Sequence, residues 1–338
     1  MEKTAIITGA CGFLGSHLAN RFLDEGYIVI GIDDFCTSLG REAPHVVALQ
    51  QRNRFFLRDF DICDESKWNE LYPYIDDLHD QLGHKGRLCD IVLNFACPAS
   101  PPRYQDLPIH TLLTSVVGTT NALNFAWKSH AVFVQASTSE VYGDALVSPQ
   151  PETYWGNVNS YGERSMYDEG KRCAEAQIWN YISECDLDAR IVRIFNTYGA
   201  HMHAQDGRVI SNLICQALRN EPLTIYGDGT QTRSFCYQSD LIEAIWRVSQ
   251  LPKGKLDGPV NIGNAHEFTI NELAYNIIPK CLNKSCEVEH MPLPGDDPKQ
   301  RRPDLTKAKQ ILDGWEAKVS LEEGVQLTIP WFKMLLGK

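Results

Sequence analysis

The chain has no surplus of positive charge. Its 32 Lys and Arg stand against 43 Asp and Glu, a formal net charge of −11 over 338 residues. A broad basic face of the kind nucleic acid requires is therefore not expected, although a few converging arginines can still hold an anionic metabolite. No CxxC pair occurs among the eleven cysteines, which are scattered and odd in number. They read as reduced thiols packed as small hydrophobes in a cytoplasmic protein. No uninterrupted apolar stretch reaches the roughly 18 residues of a membrane span. The opening "MEKTAIITGA" runs directly into a strand, so no signal peptide is expected. "NKS" at 283–285 would be a glycosylation acceptor only in a secreted chain. "HMH" at 201–203 lacks the further histidine or carboxylate of a metal site, and no metal is expected.

What the sequence does contain is an ordinary globular composition, 43% hydrophobic and 22% charged, at a length that suggests about two domains. Residues 4–8, "TAIIT", form a short β-branched strand followed at once by "GACGFLG". Gly9, Gly12 and Gly15 lead through Phe13 and Leu14 into the amphipathic "SHLANRFLDEG". Between a strand and a helix, such glycines let backbone approach a pyrophosphate at the positive end of a helix dipole. The next apolar strand, in "YIVIGIDDF", ends at Asp33 and Asp34. An acid about 20 residues after the glycines can accept from ribose hydroxyls and would repel a 2′-phosphate, which favours NAD over NADP.

Further βα units follow. "FFLRDFDICD", with Asp61 and Ile62 at its exit, "DIVLNFACPAS", "AVFVQASTSEVYG" and "ARIVRIFNTYG" are all continuous apolar runs, as strands covered on both faces are. The expected fold class is α/β, a Rossmann-type doubly wound parallel sheet with a smaller interleaved C-terminal lobe for substrate. Ligands of such a sheet sit at the carboxyl ends of its strands.

One strand ends in three hydroxyls, Ser137, Thr138 and Ser139, followed by Glu140. In the helix after it, Tyr167 and Lys171 stand four apart and project from one face. A free phenol has a pKa of about 10, too high for a base near neutrality. A neighbouring ammonium is expected to draw that value down, with Thr138 sharing the substrate hydroxyl. Lys171 can also hold the nicotinamide ribose.

Glycine motif, hydroxyl strand and YxxxK together resemble the extended short-chain dehydrogenase/reductase family over essentially the whole chain. Within it, "ACPASPPRYQ", "STSEVYGD", "PQPETYWGNVN", "RSMYDEGKR", "DGRVISN" and "DDPKQRRPDLTKAKQIL" resemble the UDP-glucuronate decarboxylases, also called UDP-xylose synthases. The resemblance implies oxidation of a UDP-glucuronate at carbon 4, loss of CO2, and a bound NAD regenerated in each turnover. It places Arg208 and Arg233 at the diphosphate, with Asn196 and Asn212 nearby, and Thr224 and Tyr226 at the uracil. Tyr104 and Ser139 would face the sugar. Arg301 would meet the sugar carboxylate, and with Glu140 would steer the proton to carbon 5. In the related 4,6-dehydratases the position of Ser139 is an aspartic acid, which would repel a uronic carboxylate. Departures from the usual pattern are Cys11 for alanine, Glu163, Met166 for cysteine, and His201 for arginine.

The expected division is 1–195 for the NAD-binding domain, with 234–262 returning to it, and 196–233 with 263–338 for the nucleotide-sugar lobe. By the same resemblance, "HTLLTSVVGTTNALNFAW" and the Tyr167 helix would pair across a homodimer. The rival activities are a nucleotide-sugar 4,6-dehydratase or 4-epimerase. A regulator that merely senses NAD would have no need of Thr138, Tyr167 and Lys171.

Overall fold

The apolar runs do pair as parallel strands. A computed structural model describes residues 2–292 and 301–338 of the chain. In it β1 (Thr4–Thr8), β2 (Ile28–Ile32), β3 (Phe55–Arg58), β4 (Ile91–Asn94), β5 (Val132–Thr138), β6 (Ala189–Ile194) and β7 (Val260–Ile262) form one sheet. Their order is β7-β6-β5-β4-β1-β2-β3, and every pairing is parallel. The chain winds outward from β1 in one direction and from β4 in the other. A crevice therefore opens between the exits of β1 and β4.

Helices cover both faces. One face buries Leu18, Phe22, Leu241 and Ile245; the other buries Trp68, Leu71, Leu123 and Ile178. The sheet also carries a buried polar row just below the crevice. Thr8 Oγ1 donates to Asn94 Oδ1 at 2.8 Å, and Asn94 Nδ2 donates to Gln135 Oε1 at 2.9 Å and Thr119 Oγ1 at 3.1 Å. The Thr8 hydroxyl accepts in turn from the backbone N–H groups of Phe95 and Ala96.

A smaller lobe has its own core of Ile210, Leu213, Ile214, Leu273 and Phe332. Its strand pairs are short: Leu223–Tyr226 with Val288–Met291, and Thr232–Ser234 with Glu267–Thr269. The helix Gln238–Gln250 packs into the core of the large sheet, to which β7 belongs. The tail of the chain divides between the two cores: Leu321, Val325, Ile329 and Phe332 join the small one. Leu305, Ala308, Leu312 and Trp315 pack into the large core rather than the small one, because an apolar face on the short helix Thr306–Ile311 lies against β7 and its neighbours. Positions 293–300, "LPGDDPKQ", lie outside the described residues.

No helix among the described residues is long and apolar enough to cross a membrane.

Candidate functional site

One cavity of about 590 Å³ runs from the β1–β4 crevice into the small lobe. It is lined by every residue expected to bind cofactor or substrate: Gly9, Gly12, Phe13, Leu14, Gly15, Asp33, Asp61 and Ile62 at one end, and Tyr104, Thr138, Ser139, Glu140, Tyr167 and Lys171 in the middle. Asn196, Arg208, Asn212, Thr224, Tyr226, Arg233 and Arg301 line the other end.

At the glycine end, helix α1 (Phe13–Asp24) begins at Gly12 with no side-chain cap and no acid in its first turn. Its exposed N–H groups and dipole suit an anion. Gly9 has φ +68°, a left-handed conformation that favours glycine. A Cβ at Gly15 would lie 1.9 Å from the Gly9 carbonyl oxygen, so helix and loop can touch only without a side chain there. Asp33 accepts from Cys11 N at 2.8 Å through one oxygen and from Phe35 N at 2.9 Å through the other. Burial pushes its pKa up to about 6, against the pull of those N–H groups, so it is mostly ionised at neutral pH. A bare helix end, a close-approach glycine turn and a fixed acid together fit NAD at this end.

Sequence reasoning missed His110, which stands between Asp34 (3.5 Å) and Asp61 (3.8 Å) at the same end. Asp34, Cys36 and His110 are also the one group among the described residues whose ligand atoms are close enough to share an ion. The "HMH" residues are not so disposed. His201 stacks between His17 (4.1 Å) and His45 (4.6 Å), and His203 Nδ1 accepts from Gln205 N. Burial and the two other rings push the His201 pKa down to about 2. The position customary for arginine therefore carries no charge here.

The middle of the cavity is built by β5 and helix α2 (Ser165–Cys185). Gly170 lets α2 approach Ser115, whose side chain would sit 3.0 Å from a Cβ at that position. The hydroxyls of Ser137 and Thr138, which end β5, and of Ser139 just beyond it separate in function. Ser137 donates to Glu175 Oε1, which Arg193 also holds, so it secures α2 to the sheet. Thr138 and Ser139 are buried and face the cavity. Lys171 Nζ donates to Ala136 O at 3.0 Å and stands 5.7 Å from the centre of the Tyr167 ring. The expected lowering of the Tyr167 pKa is not what this arrangement produces. Burial pushes the phenol well above its ordinary value and Cys97 adds to the rise, while Arg208 and the Thr138 hydroxyl only partly oppose it. The lysine is spent on a carbonyl, and desolvation prevails.

Opposite stands a charge cluster that the sequence showed only in part. Glu140 accepts from both terminal nitrogens of Arg301, with the Nη2–Oε2 contact at 2.7 Å, and from Arg164 Nη2 at 2.7 Å. Burial would raise its pKa, but the two guanidiniums outweigh that and hold the carboxyl below its usual range. Arg301 is carried there by a staple to the first half: Gln150 N donates to Arg302 O, Asp304 N to Gln150 O, and Arg302 N to Gln150 Oε1. Arg164 was missed, although it lies three residues before Tyr167 and so one helical turn away.

At the far end Arg208 Nη2 donates to Ala99 O and Arg233 Nη1 to Thr232 O. Asn212 donates to Gly207 O, and Thr224 accepts from Gln216. Tyr226 is more exposed, at 44%.

Comparison with known proteins gives the family. Residues 5–263 match the model of the NAD dependent epimerase/dehydratase family. UDP-glucuronic acid decarboxylase 2 of Arabidopsis thaliana is 44% identical over 328 residues, 97% of this chain and 68% of the relative. UDP-glucuronic acid decarboxylase 5 of the same plant is 44% identical over 98% of this chain and 90% of its own length. The crystal structure of a UDP-glucuronic acid 4-epimerase from Bacillus cereus, in complex with UDP-glucuronic acid and NAD, superposes with a TM-score of 0.83 at 26% identity, covering 98% and 99% of the two chains. The chain belongs to the NAD dependent epimerase/dehydratase family, in its extended short-chain dehydrogenase/reductase form.

Proposed function

We propose that this protein converts UDP-glucuronate to UDP-xylose and CO2 through a 4-keto sugar, with no net change in its NAD. The observation that carries this reading is the cluster lining the same cavity as Thr138 and Tyr167: two guanidiniums, the buried Arg301 and the partly buried Arg164, share a single carboxylate, Glu140. The surplus positive charge suits a sugar that brings a carboxylate of its own. The similarity to decarboxylases over nearly the whole chain supports the same substrate. A 4,6-dehydratase would need an acid where Ser139 stands.

When bound, NAD supplies the hydride acceptor for carbon 4 and, oxidised, a positive ring charge that favours the phenolate. Gly9, Gly12, Phe13, Leu14, Gly15, Asp33, Asp61 and Ile62 would hold it, with Lys171 at the nicotinamide ribose. Tyr167 takes the proton of the carbon 4 hydroxyl, and Thr138 orients that hydroxyl. Arg208 and Arg233, with Asn196 and Asn212, bind the diphosphate; Thr224 and Tyr226 flank the uracil. Tyr104 and Ser139 contact the sugar, and Arg301 exchanges Glu140 for its carboxylate. In the ketone, the electrons left at carbon 5 by departing CO2 delocalise into the carbonyl, which is why oxidation must come first.

A homodimer is part of this proposal. Ile109, Leu112, Leu113, Val117, Trp179 and Ile182 are exposed on the two helical segments 108–128 and α2, which pack side by side. The eleven free cysteines support a reducing, cytoplasmic setting.

Incubation of the purified protein with UDP-glucuronate, followed by identification of the nucleotide sugar and of CO2, tests the proposal. UDP-xylose without accumulated NADH is the expected result. Conversion to UDP-galacturonate, with the carboxylate retained, would assign a 4-epimerase instead.

A further inference from the structure

The glycine end of the cavity carries a set of side chains that the proposed reaction does not use. Asp34 and Cys36 lie on the loop beyond β2, and His110 on the short helix Pro108–Leu113. A carboxylate oxygen, a thiol sulfur and an imidazole nitrogen from these three all lie within 4.8 Å of one another. All three residues line the cavity. Positions 34, 36 and 110 form no ligand motif in the chain, because loop and helix meet only in the fold.

The polar atoms of this set are aimed. Asp34 Oδ1 accepts from Cys36 N at 3.0 Å, which leaves Oδ2 turned to His110 Nε2 at 3.5 Å. On the other side of the ring, Asp61 Oδ1 accepts from Cys63 N at 2.9 Å, and its Oδ2 faces His110 Nδ1 at 3.8 Å. Each carboxylate is thus anchored by one oxygen and offers the other. An acid behind the second ring nitrogen is what a metal-bound histidine ordinarily has: it takes the N–H and leaves the opposite lone pair to the ion. Here that lone pair, on Nε2, lies on the side of Asp34 and Cys36. Asp61 retains lone pairs enough to serve NAD as well.

Charge and donor type say which ion fits. Among the described residues no Lys or Arg pairs with Asp34 or Asp61, and Arg41, the one basic residue of the loop, pairs with Asp59. Two carboxylates therefore share one imidazole, a deficit that a divalent cation makes good. Sulfur and nitrogen ligands suit zinc, whereas magnesium and calcium take oxygen. A tetrahedral zinc, with bonds of about 2.0–2.3 Å, holds its ligand atoms roughly 3.3–3.8 Å apart. His110 and Asp34 already stand at that spacing. Cys36, which is exposed and open to an entering ion, has to close by at most about 1.5 Å.

We propose that Asp34, Cys36 and His110 form a zinc site, with water in the fourth position and Asp61 orienting the histidine. Binding exchanges the Cys36 thiol proton for the metal and releases that proton to solvent. The ion ties the loop beyond β2 to the helix Pro108–Leu113 across the end of the cavity where Asp33 would hold the ribose of NAD. A cofactor seated beneath this latch leaves more slowly.

Cobalt(II) replaces zinc in sites of this kind, and a thiolate ligand gives it a charge-transfer band in the near ultraviolet. The protein with NAD bound is titrated with cobalt and then with zinc, and NAD release is timed by exchange against labelled NAD with and without zinc. A single cobalt per chain showing the thiolate band, displaced by zinc, is the expected result. Zinc should slow NAD release by about tenfold or more, equivalent to roughly 1.4 kcal/mol. Cys36→Ser should abolish the band and His110→Asn should abolish or greatly weaken cobalt binding, each with the parental melting temperature when metal-free. Both should release NAD at the metal-free rate whether or not zinc is present, and either serves should the other fail to fold. A band that persists in both variants assigns the metal to other thiols and overturns the site. Zinc that binds there and leaves NAD release unchanged, or hastens it, overturns the latch. No turnover is measured, so failure of the decarboxylase reading would leave this result standing.

Discussion

Replacing Glu140 with glutamine keeps its size and removes its charge, leaving Arg164 and Arg301 face to face with no anion between them. In the parent this carboxylate accepts from three guanidinium nitrogens, two of Arg301 and one of Arg164. Taking one partner from a buried ion pair costs about 3–5 kcal/mol. At about 2.1 cal/mol/K of unfolding entropy per residue, 338 residues give roughly 0.7 kcal/mol/K, so the melting temperature should fall by about 4–7 °C. The sign of the pH dependence follows from the depressed pKa of Glu140. The stabilisation is fully present above the unfolded carboxyl value of about 4.3 and is lost as pH falls through the lower folded value. Calorimetry of both proteins at pH 7 and near pH 4 should therefore show the gap narrow only in acid. UDP-glucuronate, which brings a replacement carboxylate, should recover more of the loss than UDP does. If Glu140→Gln melts within about 1 °C of the parent at pH 7, Glu140 does not balance the two arginines.

Gly15→Ala should drive α1 off the glycine loop, because its Cβ would meet the Gly9 carbonyl oxygen at 1.9 Å. Overpacking of this kind costs about 1–3 kcal/mol or more, and NAD titration should show affinity lost with a lower melting temperature. Ser139→Asp places a second negative charge beside the proposed sugar carboxylate. At about 4 Å and an effective dielectric near 20 the repulsion is roughly 4 kcal/mol. Steady-state kinetics should show kcat/KM for UDP-glucuronate falling by about a thousandfold while UDP binding is spared; parental kinetics would remove Ser139 from the sugar site. Trp179→Asp, at a residue 66% exposed on α2, should convert a dimer to monomer in sedimentation velocity, and a parent already monomeric at micromolar concentration would refute that interface.

Features carried by local pattern were legible in the sequence. The strands announced themselves as apolar runs, and the glycine turn and Asp33 lie within one βαβ unit of each other, so spacing alone located them. Tyr167 and Lys171 share a helix face for the same reason. Contacts made across the chain left no such trace. Glu140 and Arg301 meet over 161 residues, brought together by the Gln150 staple. The direction of the Tyr167 pKa was misjudged because it depends on burial and on where Lys171 points, neither of which periodicity reports. Ser137 looked like its two neighbours, yet alternation along β5 turns it towards Glu175. The placement of 305–315 was hidden because a short apolar face does not say which core it joins.

The polar row beneath the crevice bears on how much ordering a ligand must impose. Thr8, Asn94, Gln135 and Thr119 hold one another by hydrogen bonds with little rotational freedom, and Thr8 also fixes the first two backbone N–H groups beyond β4. Apolar packing at this point could slide; directional bonds cannot do so without orphaning a buried donor. The mouth between β1 and β4 is thus preorganised before anything enters it. Little conformational entropy is left to lose there on binding. A Thr8→Val exchange, nearly equal in volume, would leave the Phe95 and Ala96 N–H groups unsatisfied and loosen that mouth without touching any ligand.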